Sequence, residues 1–363
     1  MIYFDNAATT KISPKAMEAM IEVYNDFWGN PSSTHALGTK AKSLLSTCRN
    51  KIASIFDVPA DTIYFTSGGT ESNNQVIKSA RMLGSKVAVS AIEHSSIMKP
   101  LKEIRDSSII PINSEGFVEI EGVLDAINSN ANFISVMYAN NEIGTIQPIQ
   151  DIAEICKAND VLFHTDAVQA IGHIPVDFSG VDFLSLSAHK FNGPKGIGLL
   201  YARKQTKLSS LVSGGGQEFA KRSGTENLPA IVGMTIALEE AYNNMQANML
   251  KTSRLRDNLL AGIEKVADVR VNGSMSNRLP GNLNVEFMGI NGHGLLTLLN
   301  EKGLCASANS ACSAVRKLKS HVLLALDEDH DRAVSSIRFS LSQDNEDFEV
   351  ERAINIIKGC LLK

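Results

Sequence analysis

Between about residues 60 and 200, short apolar and β-branched runs alternate with stretches whose apolar positions recur every three or four residues. The runs at 62–66 (TIYFT), 86–92 (KVAVSAI), 133–138 (FISVMY), 161–165 (VLFHT) and 181–186 (VDFLSL) predict strands. The stretches at 72–83 and 149–159 predict amphipathic helices between them. This alternation predicts βαβ units: an α/β fold with a mostly parallel sheet flanked by helices. A polar, helix-favouring stretch at 231–266 has few turn signals and predicts one long linking helix. Beyond it, strands are expected at 282–287 (NLNVEF) and 336–341 (SIRFSL), and helices at 294–301 and 349–360, an α+β pattern for a smaller unit. The expected division is a large domain over 13–250 and a small one over 251–363, which 1–12 joins.

Composition narrows the function. The chain has 363 residues, 44% hydrophobic and 20% charged, the balance of a globular protein with a full core. A net charge of -4 gives no electrostatic footprint for nucleic acid or an anionic membrane, so a small-molecule substrate is expected. No apolar run approaches membrane-spanning length, and MIYFDNAATT has neither the basic nor the apolar region of a secretory signal. The cysteines at 48, 156, 305, 312 and 360 are scattered, with no CxxC pair. That spacing argues against a disulfide framework and a structural zinc site, predicts no metal, and suits a reducing cytoplasm.

Polar and glycine-rich residues follow several of the expected strands, where open α/β sheets bind ligands. Ser67-Gly68-Gly69-Thr70 enters a helix, whose free N–H groups suit a phosphate; an ordinary glycine turn fits the same residues. Asp166, at the end of a buried run, needs a cationic partner or serves as a helix N-cap. Lys190 lies between a strand and the loop FNGPKGIG, a rigid mount from which a desolvated amine can do Schiff-base chemistry; a surface lysine is the plain alternative. His94 alone reads equally as a structural histidine, and Arg338 as half of a buried salt bridge.

The segment SAHKFNGPKGIG resembles the pyridoxal-phosphate lysine motif of class V aminotransferases, in particular of cysteine desulfurases, which are fold-type I enzymes. YFDNAATT, GNPSSTH, TSGGTES, EHSS, ANNEIGTIQPI, HTDAVQAIG, SGGGQEFAKRSGTEN, ANSACSA and SIRFSL resemble segments of the same family in the same order, over residues 3–341. The resemblance implies that Lys190 anchors pyridoxal phosphate and later shuttles protons on the substrate. It implies that Asp166 pairs with the pyridine nitrogen, Gln169 bonds the ring's phenolic oxygen and His94 stacks on the ring. Gly69, Thr70, Ser187 and His189 would hold the phosphate. Asn141 would contact cofactor and substrate, and Arg338 would grip the substrate carboxylate. Thr225 would reach the partner's cofactor phosphate across a homodimer interface.

Cys312 lies among small residues, ANSACSA, a setting that leaves a thiol accessible, whereas the other four cysteines read as small buried hydrophobes. The resemblance makes Cys312 the nucleophile that takes sulfur from L-cysteine as a persulfide, releases L-alanine and passes the sulfur to an acceptor protein, as in iron–sulfur cluster or thio-cofactor assembly. His94 would take the thiol proton. Another class V aminotransferase or lyase, or a selenocysteine lyase, would share the same cofactor residues.

Overall fold

The computed structural model describes residues 1–204, 206–308, 319–327 and 329–362. In chain order its strands are β1 (Ile2–Tyr3), β2 (Ile63–Thr66), β3 (Val87–Ser90), β4 (Ser107–Ile110), β5 (Phe133–Ser135) and β6 (Leu162–Asp166). They continue with β7 (Phe183–Ser187), β8 (Gly198–Ala202), β9 (Val269–Val271), β10 (Asn282–Phe287), β11 (Leu304–Cys305) and β12 (Ser336–Ser340). Seven form one sheet in the order β2-β8-β7-β6-β5-β3-β4. β8 is antiparallel to both its neighbours and all other pairings are parallel, so six strands end at one edge of the sheet. This is the expected α/β fold, and helices such as Gly69–Met82 and Ile149–Ala158 cover the sheet near the predicted positions.

The expected strands at 161–165 and 181–186 are displaced toward the C-terminus, to β6 and β7. Asp166 and Ser187 are therefore the last residues of strands and not the first residues of loops. β8 was not expected, because Gly198-Leu-Leu-Tyr-Ala is a continuous apolar run with no period to read. The single helix predicted over 231–266 is two, Leu228–Asn243 and Met245–Ile263. Asn244 makes the break: it adopts φ -108°, ψ 4°, and both its N–H and its side-chain Nδ2 bond Glu240 O, at 3.2 and 2.8 Å. Asparagine competes for backbone partners in this way, a weaker signal than glycine or proline.

Apolar side chains gather in separate cores. The large sheet and its helices enclose one, around Ile134, Phe163, Leu184 and Leu199. The antiparallel sheet β12-β10-β9 packs Val285, Ile337 and Phe339 against Leu255 and Leu259 of the helix Met245–Ile263 and Ala353 of the helix Asp347–Leu361. Ile2 and Phe4 belong to this second core, where β1 pairs with β11. The following residues, 5–10, leave this core and run to the large sheet, where Thr10 N bonds His189 O at 2.9 Å. They form a strap between the two.

Candidate active site

The carboxyl edge of the large sheet carries the candidate residues because of its topology. β2 leads into Gly68 and the helix Gly69–Met82; β3 leads to His94, the N-cap of the helix Ser95–Leu101; β6 ends on Asp166; β7 ends on Ser187 and turns through a short 3-10 segment to Lys190. These side chains surround one cavity of about 200 Å³. Of the sequence-predicted residues, Gly69, Thr70, His94, Asn141, Asp166 and Gln169 line it, as do Ser187, His189, Lys190 and Arg338. Thr225 does not. It is exposed on a loop beside Arg222, which pairs with Glu71 of the helix Gly69–Met82 at 2.9 Å. Cys312 lies outside the described residues.

The position of Gly69 favours glycine, because a Cβ there would meet Val168 Cγ2 at 2.6 Å. The helix start thus lies directly against the residue two positions after Asp166. One Asp166 oxygen accepts from Val168 N at 3.0 Å, the other from Asn73 Nδ2 at 2.6 Å. Asp166 ends a strand and caps no helix, which removes the plainer reading of this carboxylate.

His94 is half-buried, and burial lowers its basicity, with Asp166 opposing and Lys190 adding to the effect. Its Nδ1 accepts from Ser96 N at 3.2 Å and contacts Ser96 Oγ at 2.7 Å, an arrangement that places the proton of the neutral ring on Nε2. His189 is pushed down to about 4 by burial, then by Lys190 and Lys195, so it too is neutral at ordinary pH.

The opposite wall comes from the strap and the small sheet. Lys190 Nζ donates to the carbonyls of Ala7 and Ala8 at 2.6 and 2.8 Å, and Gln169 Nε2 donates to Ala7 O at 3.0 Å. Arg338 of β12 is 1% exposed; its Nη2 donates to Asp5 Oδ1 at 2.7 Å and its Nη1 to Asn141 O at 2.9 Å. Arg338 thus forms the buried ion pair that one reading expected, and it also lines the cavity.

Sequence reasoning missed Asn73, Ser96, Asp5, Ala7 and Ala8. The motifs containing Asp5 and the alanines were visible, yet the alanines act through backbone carbonyls, which no residue type announces. Asn73 lies just past TSGGTES, one helical turn from its start, so the helical period could have revealed it.

The remaining cysteines behave largely as expected. Cys48, Cys156 and Cys360 are buried, and burial pushes the Cys156 thiol up to about 12 and raises Cys48 as well. Cys305, expected to be buried, is only half-buried in β11, which pairs with β1. Among the described residues no group of three or more His, Cys, Asp or Glu side chains could hold a metal ion. No helix among them is long and apolar enough to cross a membrane.

Comparison with known proteins agrees with this geometry. Residues 2–353 match the aminotransferase class-V family. The chain is 40% identical to cysteine desulfurase IscS of Clostridium botulinum strain Hall, covering 98% of this chain and 93% of that one. It is 41% identical to cysteine desulfurase IscS of Methanosarcina thermophila, covering 100% of this chain and 92% of the relative. A solved NifS-like protein superposes with a TM-score of 0.93 at 35% identity, covering 99% of both chains. With a lysine, an aspartate and a histidine gathered at the sheet edge and relatives matched over nearly their whole length, this chain belongs to the class V aminotransferase family and, within it, to the pyridoxal-phosphate-dependent cysteine desulfurases.

Proposed function

We propose that this enzyme binds pyridoxal phosphate at Lys190, takes the sulfur of L-cysteine onto Cys312 as a persulfide, and releases L-alanine. The observation that carries the reading is the convergence of Lys190, Asp166, His94 and Arg338 on one cavity at the carboxyl edge of the parallel strands.

The cavity suits the cofactor. The N–H groups at the start of the helix Gly69–Met82, with Thr70, Ser187 and His189, offer donors and a dipole for a phosphate. Asp166 offers a carboxylate for the pyridine nitrogen, and His94 a flat ring for its face. Gln169 and Asn141 would approach the phenolic edge. Asn73 Oδ1 and Arg338 Nε are buried with no hydrogen-bond partner, so the site holds polar capacity that its own described residues leave unused. Once bound, the cofactor supplies an electron sink that weakens the bonds around the amino acid's α-carbon.

The chain's own groups then divide the work. Arg338 orients the substrate through its α-carboxylate, a pairing that planar guanidinium favours. Lys190 takes and returns the proton at Cα. The neutral His94 offers its Nε2–H as a hydrogen-bond donor; its Nδ1 is engaged by Ser96, and taking the thiol proton, as the resemblance implies, would require that contact to open. The Cys312 thiolate attacks the substrate sulfur: an S–S bond forms, the Cβ–S bond breaks, and the bonding pair stays on the three-carbon fragment, which is protonated and leaves as L-alanine.

The flanks of the Cys312 segment support its part. Ser307 and Arg338 exchange backbone hydrogen bonds at 2.6 and 3.1 Å, and His321 Nε2 bonds Glu93 O, next to His94, at 3.0 Å. The chain therefore leaves and re-enters beside cavity residues, and Cys312 is four residues past Ala308, at most about 14 Å of extended chain. The exposed Thr225 supports a homodimer in which this loop meets the partner's phosphate site, and a persulfide implies a sulfur-acceptor protein, such as one serving iron–sulfur cluster assembly. The separate apolar cores around Ile134 and around Val285 support the division into a large domain over 13–250 and a small one over 251–363 with 1–12, with a smaller cluster of Ile92, Met137, Ile143, Val322 and Leu323 joining them.

The test is to incubate the holoenzyme with L-cysteine, quantify alanine and locate added sulfur by mass spectrometry. Alanine and one extra sulfur on the Cys312 peptide are expected. Cys312→Ala should keep the cofactor's absorption band and lose at least about a hundredfold in turnover, an activated nucleophile's usual contribution or more. Undiminished alanine production by that variant would overturn the persulfide role.

A further inference from the structure

Arg338 is nearly inaccessible, yet both its terminal nitrogens already have protein acceptors, one of them an anion. Nη2 donates to the Asp5 carboxylate at 2.7 Å, Nη1 to the Asn141 carbonyl at 2.9 Å, and Nε is buried without a partner. Asp5 is itself held in place. It bridges Ser340 in parallel register, and the next residue, Asn6, donates to Ser340 O from its backbone N at 3.1 Å and from Nδ2 at 2.9 Å. A carboxylate belonging to the chain is thus fixed on the cation proposed to receive the substrate's carboxylate.

We propose that Asp5 is a specificity-determining residue, an internal carboxylate that shares Arg338 with the α-carboxylate of the amino acid and so limits how tightly L-cysteine and its product L-alanine are held. The inference rests on the reading of Arg338 as the carboxylate partner. An unpaired buried guanidinium is costly, and Asp5 offsets that cost while the site lacks substrate. When the substrate arrives, two anions face one cation, and their mutual repulsion subtracts from the binding. The result favours release of alanine, which carries the same carboxylate as cysteine and would otherwise remain bound to Arg338.

The experiment measures equilibrium binding of L-alanine to the holoenzyme by absorbance titration, with cysteamine, which has the amine and thiol but no carboxylate, as the control ligand. Asp5→Asn keeps an oxygen acceptor for Arg338 and removes the charge. It should bind L-alanine roughly ten-fold more tightly, lower KM for L-cysteine in the same sense, and leave cysteamine binding unchanged. Asp5→Ser, a second charge-removing variant, serves if the first does not fold. Arg338→Gln tests the underlying reading and should lose L-alanine affinity while retaining that for cysteamine. If Asp5→Asn or Asp5→Ser binds alanine no more tightly than the unmodified enzyme while Arg338→Gln has lost it, the proposal fails and the role of Arg338 stands. If Arg338→Gln binds alanine as the unmodified enzyme does, both fall.

Discussion

The two walls of the cavity are built differently. The sheet wall presents side chains at the ends of buried strands: Asp166 closes β6, Ser187 closes β7, and Lys190 follows after three residues. The strap wall presents main-chain carbonyls of Ala7 and Ala8, and an arginine already paired with Asp5. Strand ends are rigid mounts that aim groups at fixed points, which suits a resident cofactor. A strap tied to the second core by Asn6 and Ser340 suits a group that comes and goes. Under the proposed function the cavity divides its labour: the large core would hold the permanent occupant, and the small core would meet the substrate.

That division can be broken by experiment. The largest effect is expected at Gly198 of β8, where a Cβ would lie 2.5 Å from Leu186 O and 2.6 Å from Gly68 Cα, both backbone atoms that cannot rotate away. Gly198→Ala should displace the turn that starts the helix Gly69–Met82, cost about 1–3 kcal/mol in stability and weaken cofactor binding about tenfold, read by thermal melting and by titration of the cofactor's absorption. Cofactor affinity equal to that of the unmodified enzyme would mean that the sheet wall does not hold it. A smaller and different effect belongs to the strap. Asn6→Ala removes the 2.9 Å bond to Ser340 O, and should raise KM for L-cysteine several-fold, about 1 kcal/mol, with cofactor affinity unchanged. If both parameters shift together, the walls are not independent.

The smallest effect concerns Glu93, just before His94. It is fully buried, accepts from Ser90 Oγ and Met137 N at 2.6 Å each, and leaves Oε2 without a partner. Burial, reinforced by the Asp166 charge, pushes its carboxyl up to about 8. The folded protein therefore holds this proton more tightly than the unfolded chain does. Its stabilising contribution is complete below the ordinary carboxylate value of 4.5 and is lost as pH rises toward 8. Melting temperatures across that window should show the unmodified enzyme falling relative to Glu93→Gln, whose amide needs no proton, by a few degrees. Parallel pH profiles would place the charge elsewhere.

Legibility in the sequence followed the same line. Lys190 and Asp166 stood out because they lie where an apolar run gives way to turn residues, a local signal, whereas His94 and Gln169 were marked only by the family resemblance. The alternation of runs was enough for the α/β sheet, although β8 escaped because its apolar run has no period, and the break at Asn244 because no glycine or proline marks it. The strap wall was mostly illegible. A carbonyl has no residue identity, and the Asp5–Arg338 pair joins positions 333 apart, whose proximity only the folded chain determines. Arg338 was readable as a salt bridge or as a substrate clamp, and nothing local could say that its ion pair lies on the wall of the cavity.

The strap also sets the order in which the enzyme comes into being. Ala7 N bonds Ser340 Oγ and Asn6 bonds Ser340 O across more than three hundred positions of chain. During synthesis the strap must wait for β12 before it can dock, while the large sheet, complete by residue 202, is free to form well before. Contacts so distant in sequence close late and slowly. A nascent chain is therefore free to bring its lysine, aspartate and histidine together on the sheet edge before the strap docks. Cofactor capture can precede competence, and the ribosome need never release a fragment able to strip sulfur from cysteine.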